Sequence, residues 1–90
     1  MKRYLINVHG RVQGVGFRYF TERLALKYHV TGSVQNVNDF VEVIAQGEDN
    51  QIEMFVQAVI NGASPASSVK KHQIEELNIV PHEEKFKVLG

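Results

Sequence analysis

Between Gly10 and Arg18 the chain reads Gly-Arg-Val-Gln-Gly-Val-Gly-Phe-Arg: three glycines, the last two bracketed by Arg11 and Arg18, with no acidic residue before Glu22. Glycines let successive backbone N–H groups converge on one anion, and a helix that follows them adds the positive end of its dipole. The Arg18 guanidinium contributes a planar fork of donors that keeps its charge at any working pH. The set suits a bound phosphate. A glycine-rich strand-to-helix turn can also be purely structural, but such a turn needs one glycine at positive φ, not three within seven residues.

Other chemistries find little support. The 90 residues include no cysteine, which excludes disulfides, zinc–thiolate sites and thiol nucleophiles. No serine–histidine–carboxylate set and no carboxylate pair stands at the loop, and the histidines at 9, 29, 72 and 82 lack metal-ligand spacing. Neither a metal nor a cofactor is therefore expected. Ten basic and ten acidic side chains give no net charge, which argues against a nucleic-acid partner held through many phosphates. Lys70-Lys71 and Glu75-Glu76 read as solvated faces. No apolar run approaches the ~20 residues of a membrane span, and Met-Lys-Arg leads into Tyr4 to His9 rather than a signal-type core. A cytoplasmic, monomeric protein without a membrane partner is the expectation.

The elements that must position the loop follow from hydrophobic period. Tyr4 to His9 reads as a central strand, apolar on both faces. Phe17, Phe20, Leu24 and Tyr28 recur at helical spacing and read as the core face of a helix ending near His29. Thr31 to Asn36 and Phe40 to Gln46 are short β-type runs joined by a Val37-Asn38-Asp39 hairpin, with Gly47 closing the pair. Asp49 or Asn50 can cap the next helix, Asn50 with Glu53 fitting a capping box, ahead of the stripe Ile52, Phe55, Val56, Val59 and Ile60, and Asn61-Gly62 terminates that helix. Val69 to Ile79 forms a fourth strand, and Phe86 to Leu89 a short edge. With no repeat and no linker, residues 1–90 form one domain of a size that buries its own core.

Strand, helix, strand, strand, helix, strand is the order of the α+β ferredoxin-like βαββαβ sandwich, an antiparallel sheet with two helices on one face. The helical crossover makes the first and second strands parallel, so both end at the same edge of the sheet. The glycine loop leaves the first strand there and Asn36 ends the second. An arginine, a ring of amides and a carboxamide thus converge on one small site.

Such a set assists reaction by positioning and charge stabilisation, as phosphoryl transfer requires. Arg18 and the amides would hold phosphoryl oxygens, and Asn36, which both donates and accepts, could orient a water molecule for in-line attack. Without a base or acid from the protein, the substrate must carry a good leaving group. A small acyl phosphate qualifies, because its carboxylate leaves without a proton.

Over essentially its full length the chain resembles the acylphosphatases. Val8 to Arg18 matches that family's first signature, Gly32-Ser33-Val34-Gln35-Asn36 with Val41-Glu42-Val43 and Gly47 resembles the second, and Gly62, Ser64, Pro65, Ala66 and Val69 resemble its turn into the fourth strand. The resemblance implies metal-independent hydrolysis of small acyl phosphates. It assigns Arg18 as the phosphate-binding catalytic arginine, Asn36 as the residue placing the nucleophilic water, and the backbone of Gln13, Gly14, Val15, Gly16, Phe17 and Arg18 as the phosphate cradle. Two departures stand out: Ser33 replaces the usual aromatic, and the hairpin after Asn36 is one residue shorter, a change able to alter turn type or register. The grip on the phosphoryl end implies broad use of acyl groups.

Two other readings remain. A module that only binds an anion or a carbamoyl-phosphate-like ligand has the same loop, as related domains inside larger maturation enzymes do. RNA-recognition modules share the element order but stack bases on several exposed aromatics. The third strand here, Phe40 to Gln46, offers one aromatic beside the acidic Glu42.

Overall fold

The computed structural model describes all residues 1–90. The elements are β1 (Lys2–Arg11), α1 (Phe17–Tyr28), β2 (Thr31–Val37), β3 (Phe40–Gly47), α2 (Asp49–Ile60), β4 (Ser68–Leu77) and β5 (Phe86–Val88). One five-stranded sheet runs β4-β1-β3-β2-β5, with every neighbouring pair antiparallel except β2 and β5. Strand β3 lies between β1 and β2, so the latter two run the same way, as the crossover rule requires. The fold is the ferredoxin-like one expected. Neither helix is long and apolar enough to cross a membrane.

The core lies between the sheet and the two helices. Ile6 and Val8 of β1, Val34 of β2, and Val41, Val43 and Ala45 of β3 meet Phe17 and Ala25 of α1 and Ile52, Phe55, Val56 and Val59 of α2. Each large apolar side chain buried there contributes about 1.5–3 kcal/mol. Two sequence expectations about this core need correction. Strand β1 is fully buried on one face only; Leu5, Asn7 and His9, on the face without helices, are half-exposed. Helix α1 buries Phe17, Thr21 and Ala25, while Phe20 is 37% exposed. Small residues at 21 and 25 let the helix approach the sheet, and Thr21 satisfies its buried hydroxyl by donating to the Phe17 carbonyl at 2.8 Å.

Local chemistry departs from expectation at two further points. Glu48, not Asn50, precedes the first turn of α2, and no side chain caps that helix. The Asp49 carboxylate sits in its first turn, where the helix dipole favours it. The hairpin is tighter than Val37-Asn38-Asp39: Val37 pairs with Phe40, leaving Asn38-Asp39 as a two-residue turn. Asn38 takes φ 52°, the positive φ that primed hairpin turns require at their first central position.

Because β4 and β5 occupy opposite edges, residues 78–85 must cross the whole sheet. A hydrogen-bonded clamp fixes that crossing. Arg3 donates to both carboxylate oxygens of Glu83 at 2.8 and 3.4 Å, and the Thr31 hydroxyl donates to the same carboxylate at 2.9 Å. The Gln46 amide bonds both the carbonyl and the N–H of Val80, at 3.0 and 2.8 Å. From there β5 pairs with β2 (Gly32 with Phe86, Val34 with Val88), and Phe86 sets its ring edge-on to Phe55 at 6.1 Å.

Candidate active site

The loop between β1 and α1 owes its shape to glycines with distinct tasks. Gly14 (φ 72°) and Gly16 (φ 76°) hold left-handed conformations that cost an L-residue about 1–2 kcal/mol. Gly10 answers a different demand. A β-bulge falls between His9 and Gly10, and a Cβ there would lie 2.3 Å from the Ser68 carbonyl, so this glycine serves the contact with β4.

The consequence of the left-handed turns is a row of free donors. Gly16 precedes α1 without a side-chain cap, and the first bond into the helix runs from Phe20 N–H to the Gly16 carbonyl at 3.0 Å. The N–H groups of Gln13 through Tyr19 therefore donate to no main-chain acceptor. Seven consecutive unpaired donors at the positive end of a helix dipole are an arrangement that suits an anion.

A cavity of about 440 Å³ opens over this loop. Gly14, Gly16, Arg18 and Asn36 line it together, above a floor that includes the buried Val12 and Phe17. The topology thus brings the arginine of α1 and the asparagine of β2 to one site. The shortened hairpin leaves Asn36 in register with Val41 and on the cavity. Its side-chain oxygen is buried without a hydrogen-bond partner, an uncommon state for an acceptor inside a protein. Arg18 Nη1 donates to the Leu89 carbonyl at 3.2 Å. Leu89 N–H in turn donates to Val34 O at 2.8 Å, and Asn36 N–H to the main-chain oxygen of Gly90 at 3.1 Å. The segment after β5 thereby ties the two site residues to one scaffold.

Gln13 has a second task that the sequence did not disclose. Its Nε2 donates to the carbonyls of Asn38 and Phe40 at 3.0 and 2.9 Å, fastening the loop to the hairpin beyond Asn36. Arg11, at the other end of the glycine run, is exposed and does not line the cavity. His9 also points elsewhere: its ring lies 4.9 Å from that of Phe40, and its Nε2 is 3.0 Å from the Gln73 amide oxygen. Tyr19, Glu22 and Val88 do line the cavity, and sequence reading missed all three. For the first two the available signal was helical spacing, because Glu22 lies one turn beyond Arg18 and three residues after Tyr19. For Val88 there was none, since its approach depends on the crossover.

The acylphosphatase family pattern matches residues 4–88. An acylphosphatase of Staphylococcus aureus (strain Newman) is 60% identical over 79 residues, covering 88% of this chain and 89% of that protein. The crystal structure of acylphosphatase from Bacillus subtilis superposes with a TM-score of 0.92 at 42% identity, over the full length of both chains. Full-length HypF, in a phosphate- and nucleotide-bound crystal form, contains a region similar to 99% of this chain (TM-score 0.89, 32% identity), which is 12% of HypF. With a matching pattern over nearly every residue, a relative at 60% identity and a shared fold from end to end, the chain belongs to the acylphosphatase family, enzymes of acyl phosphate hydrolysis.

Proposed function

We propose that residues 1–90 act as one metal-independent domain that hydrolyses small acyl phosphates, with Arg18 and Asn36 as its catalytic residues. The backbone N–H groups of Gln13 to Arg18 and the Arg18 guanidinium hold the phosphoryl oxygens. Asn36 orients a water molecule, whose oxygen attacks phosphorus in line with the bond to the acyl oxygen. That bond breaks, its electron pair leaves with the carboxylate, and the water's proton passes to a phosphoryl oxygen, giving carboxylate and dihydrogen phosphate. Charge that spreads over the phosphoryl oxygens meets donors already in place, so stabilisation needs little reorganisation.

The observation that carries this reading is the row of unpaired amides beside Arg18, in one cavity with the orphaned acceptor of Asn36. Release of benzoate and phosphate from benzoyl phosphate, in excess chelator, tests it. Turnover well above the spontaneous rate is expected; turnover that vanishes with the chelator would refute metal independence. The similarity to part of HypF, crystallised with phosphate and nucleotide bound, favours a second reading in which the loop only binds its ligand. Saturable phosphate binding with no benzoate released would select it.

A further inference from the structure

We infer that the acyl end of the substrate is selected by a wall of Tyr19, Glu22 and Val88, which favours neutral, apolar acyl groups and disfavours anionic ones. The inference rests on the hydrolytic reading above and replaces indifference to the acyl group with a defined preference. On that reading Gly14, Gly16 and Arg18 of the cavity lining are taken up by the phosphoryl group and Asn36 by the water, while Val12 and Phe17 form a floor only 1% exposed. In-line displacement sends the leaving group away from that water. The walls that remain for it are Tyr19, Glu22 and Val88.

Their chemistry is uneven. Tyr19 and Val88 are large apolar side chains left 55% and 42% exposed at the mouth, surfaces that gain by covering a ring or alkyl group. Glu22 is the one acidic residue of the lining, three positions from Tyr19 and four from Arg18 on the same helix, so its side chain neighbours each of theirs. The ion pairs of the protein join the Met1 ammonium to Asp49 and Arg3 to Glu83. Arg18 Nη1 donates to the Leu89 carbonyl, and Glu22 is left without an ion-pair partner. A carboxylate in that state adds a repulsive element against any acyl group bearing its own negative charge, the kind of device by which sites reject a competitor.

A matched pair of stable phosphonates isolates the effect: benzylphosphonate, and 4-(phosphonomethyl)benzoate, which carries a carboxylate at the far side of the ring. Calorimetric dissociation constants are measured for both on the unmodified protein, E22Q and E22K. The unmodified protein is expected to bind the neutral ring about threefold more tightly, the size of a unit-charge repulsion across some 7 Å of water-like dielectric. E22Q brings the ratio to about one, E22K inverts it, and added salt narrows it in the unmodified protein. An unchanged ratio in E22Q and E22K overturns the inference while leaving the hydrolytic reading intact. Failure of both compounds to bind the unmodified protein overturns the inference, and turnover of benzoyl phosphate, measured separately, decides the hydrolytic reading.

Discussion

The two ends of the sheet manage their polar groups in opposite ways. At the end where β1 begins and β3 finishes, Arg3, Thr31, Gln46, Glu83 and the backbone of Val80 satisfy one another in a closed set of half-buried hydrogen bonds. At the opposite end, the amides of residues 13–19 and the side-chain oxygen of Asn36 are left unpaired around a cavity. The loop around Gly14, Gly16 and Tyr19 is exposed, so its amides can be solvated, whereas the Asn36 oxygen, like Asn7 Oδ1 and Ser64 Oγ elsewhere, is buried at a cost in stability. The saturated end fixes the crossover that carries β5; the unsaturated end carries the donors to which the proposed function gives a phosphoryl group. The proposed chemistry and the polar clamp thus fall at different ends of the same strands.

The contrast is broken most severely at Arg18. Arg18→Ala is expected to lower kcat/KM for benzoyl phosphate by about a thousandfold or more and to abolish saturable phosphate binding. Thermal stability should hardly change, because the side chain is bonded only to the Leu89 carbonyl at the surface. Asn36→Ala is expected next, with kcat reduced by about a hundredfold and the inhibition constant for inorganic phosphate nearly unchanged, since the residue acts on water rather than on the phosphoryl group. Equal turnover in that variant would remove its assigned role.

Gln13→Ala sharpens the comparison, because it frees the loop from the hairpin without touching a phosphate donor. A fall of about tenfold in kcat/KM is expected, mostly in kcat, as Asn36 and the cradle lose their common reference. The smallest effect on activity belongs to the saturated end. Glu83→Ala leaves the Arg3 guanidinium half-buried without its partner and should lower stability by about 2 kcal/mol. Denaturation should shift down by about 10 °C, with kcat/KM at 25 °C within about twofold of the parent protein. A large loss of activity at 25 °C would show that the two ends are coupled rather than separate.

Much of the fold was legible because its signals are local. The valine-centred runs 31–36 and 40–46, the stripe Ile52-Phe55-Val56-Val59 and the terminator Asn61-Gly62 specify their elements within a few residues, and the structure keeps them. Errors arose where a local rule met a tertiary demand. Phe20 obeys the helical period of the core stripe, yet α1 approaches the sheet through Thr21 and Ala25, and the larger side chain is turned outward beside Tyr19 at 5.2 Å. Asn50 and Glu53 have capping-box spacing, but the strand–helix junction starts the helix two residues too early for it. Gly10 shares the motif with Gly14 and Gly16 while answering to β4, a partner almost sixty residues away.

The linear order of residues determined the element types, the α+β class, the glycine loop and the identity of its arginine, because each depends on neighbours within a turn or a pleat. Which groups share the cavity was decided only by the folded chain. Val88 and Leu89 reach Arg18 because the clamped crossover sets β5 against β2, and Asn36 meets the loop because β3 lies between two parallel strands and Gln13 ties down the hairpin. Those juxtapositions arise from packing and hydrogen bonding between segments distant in sequence, and no local period encodes them.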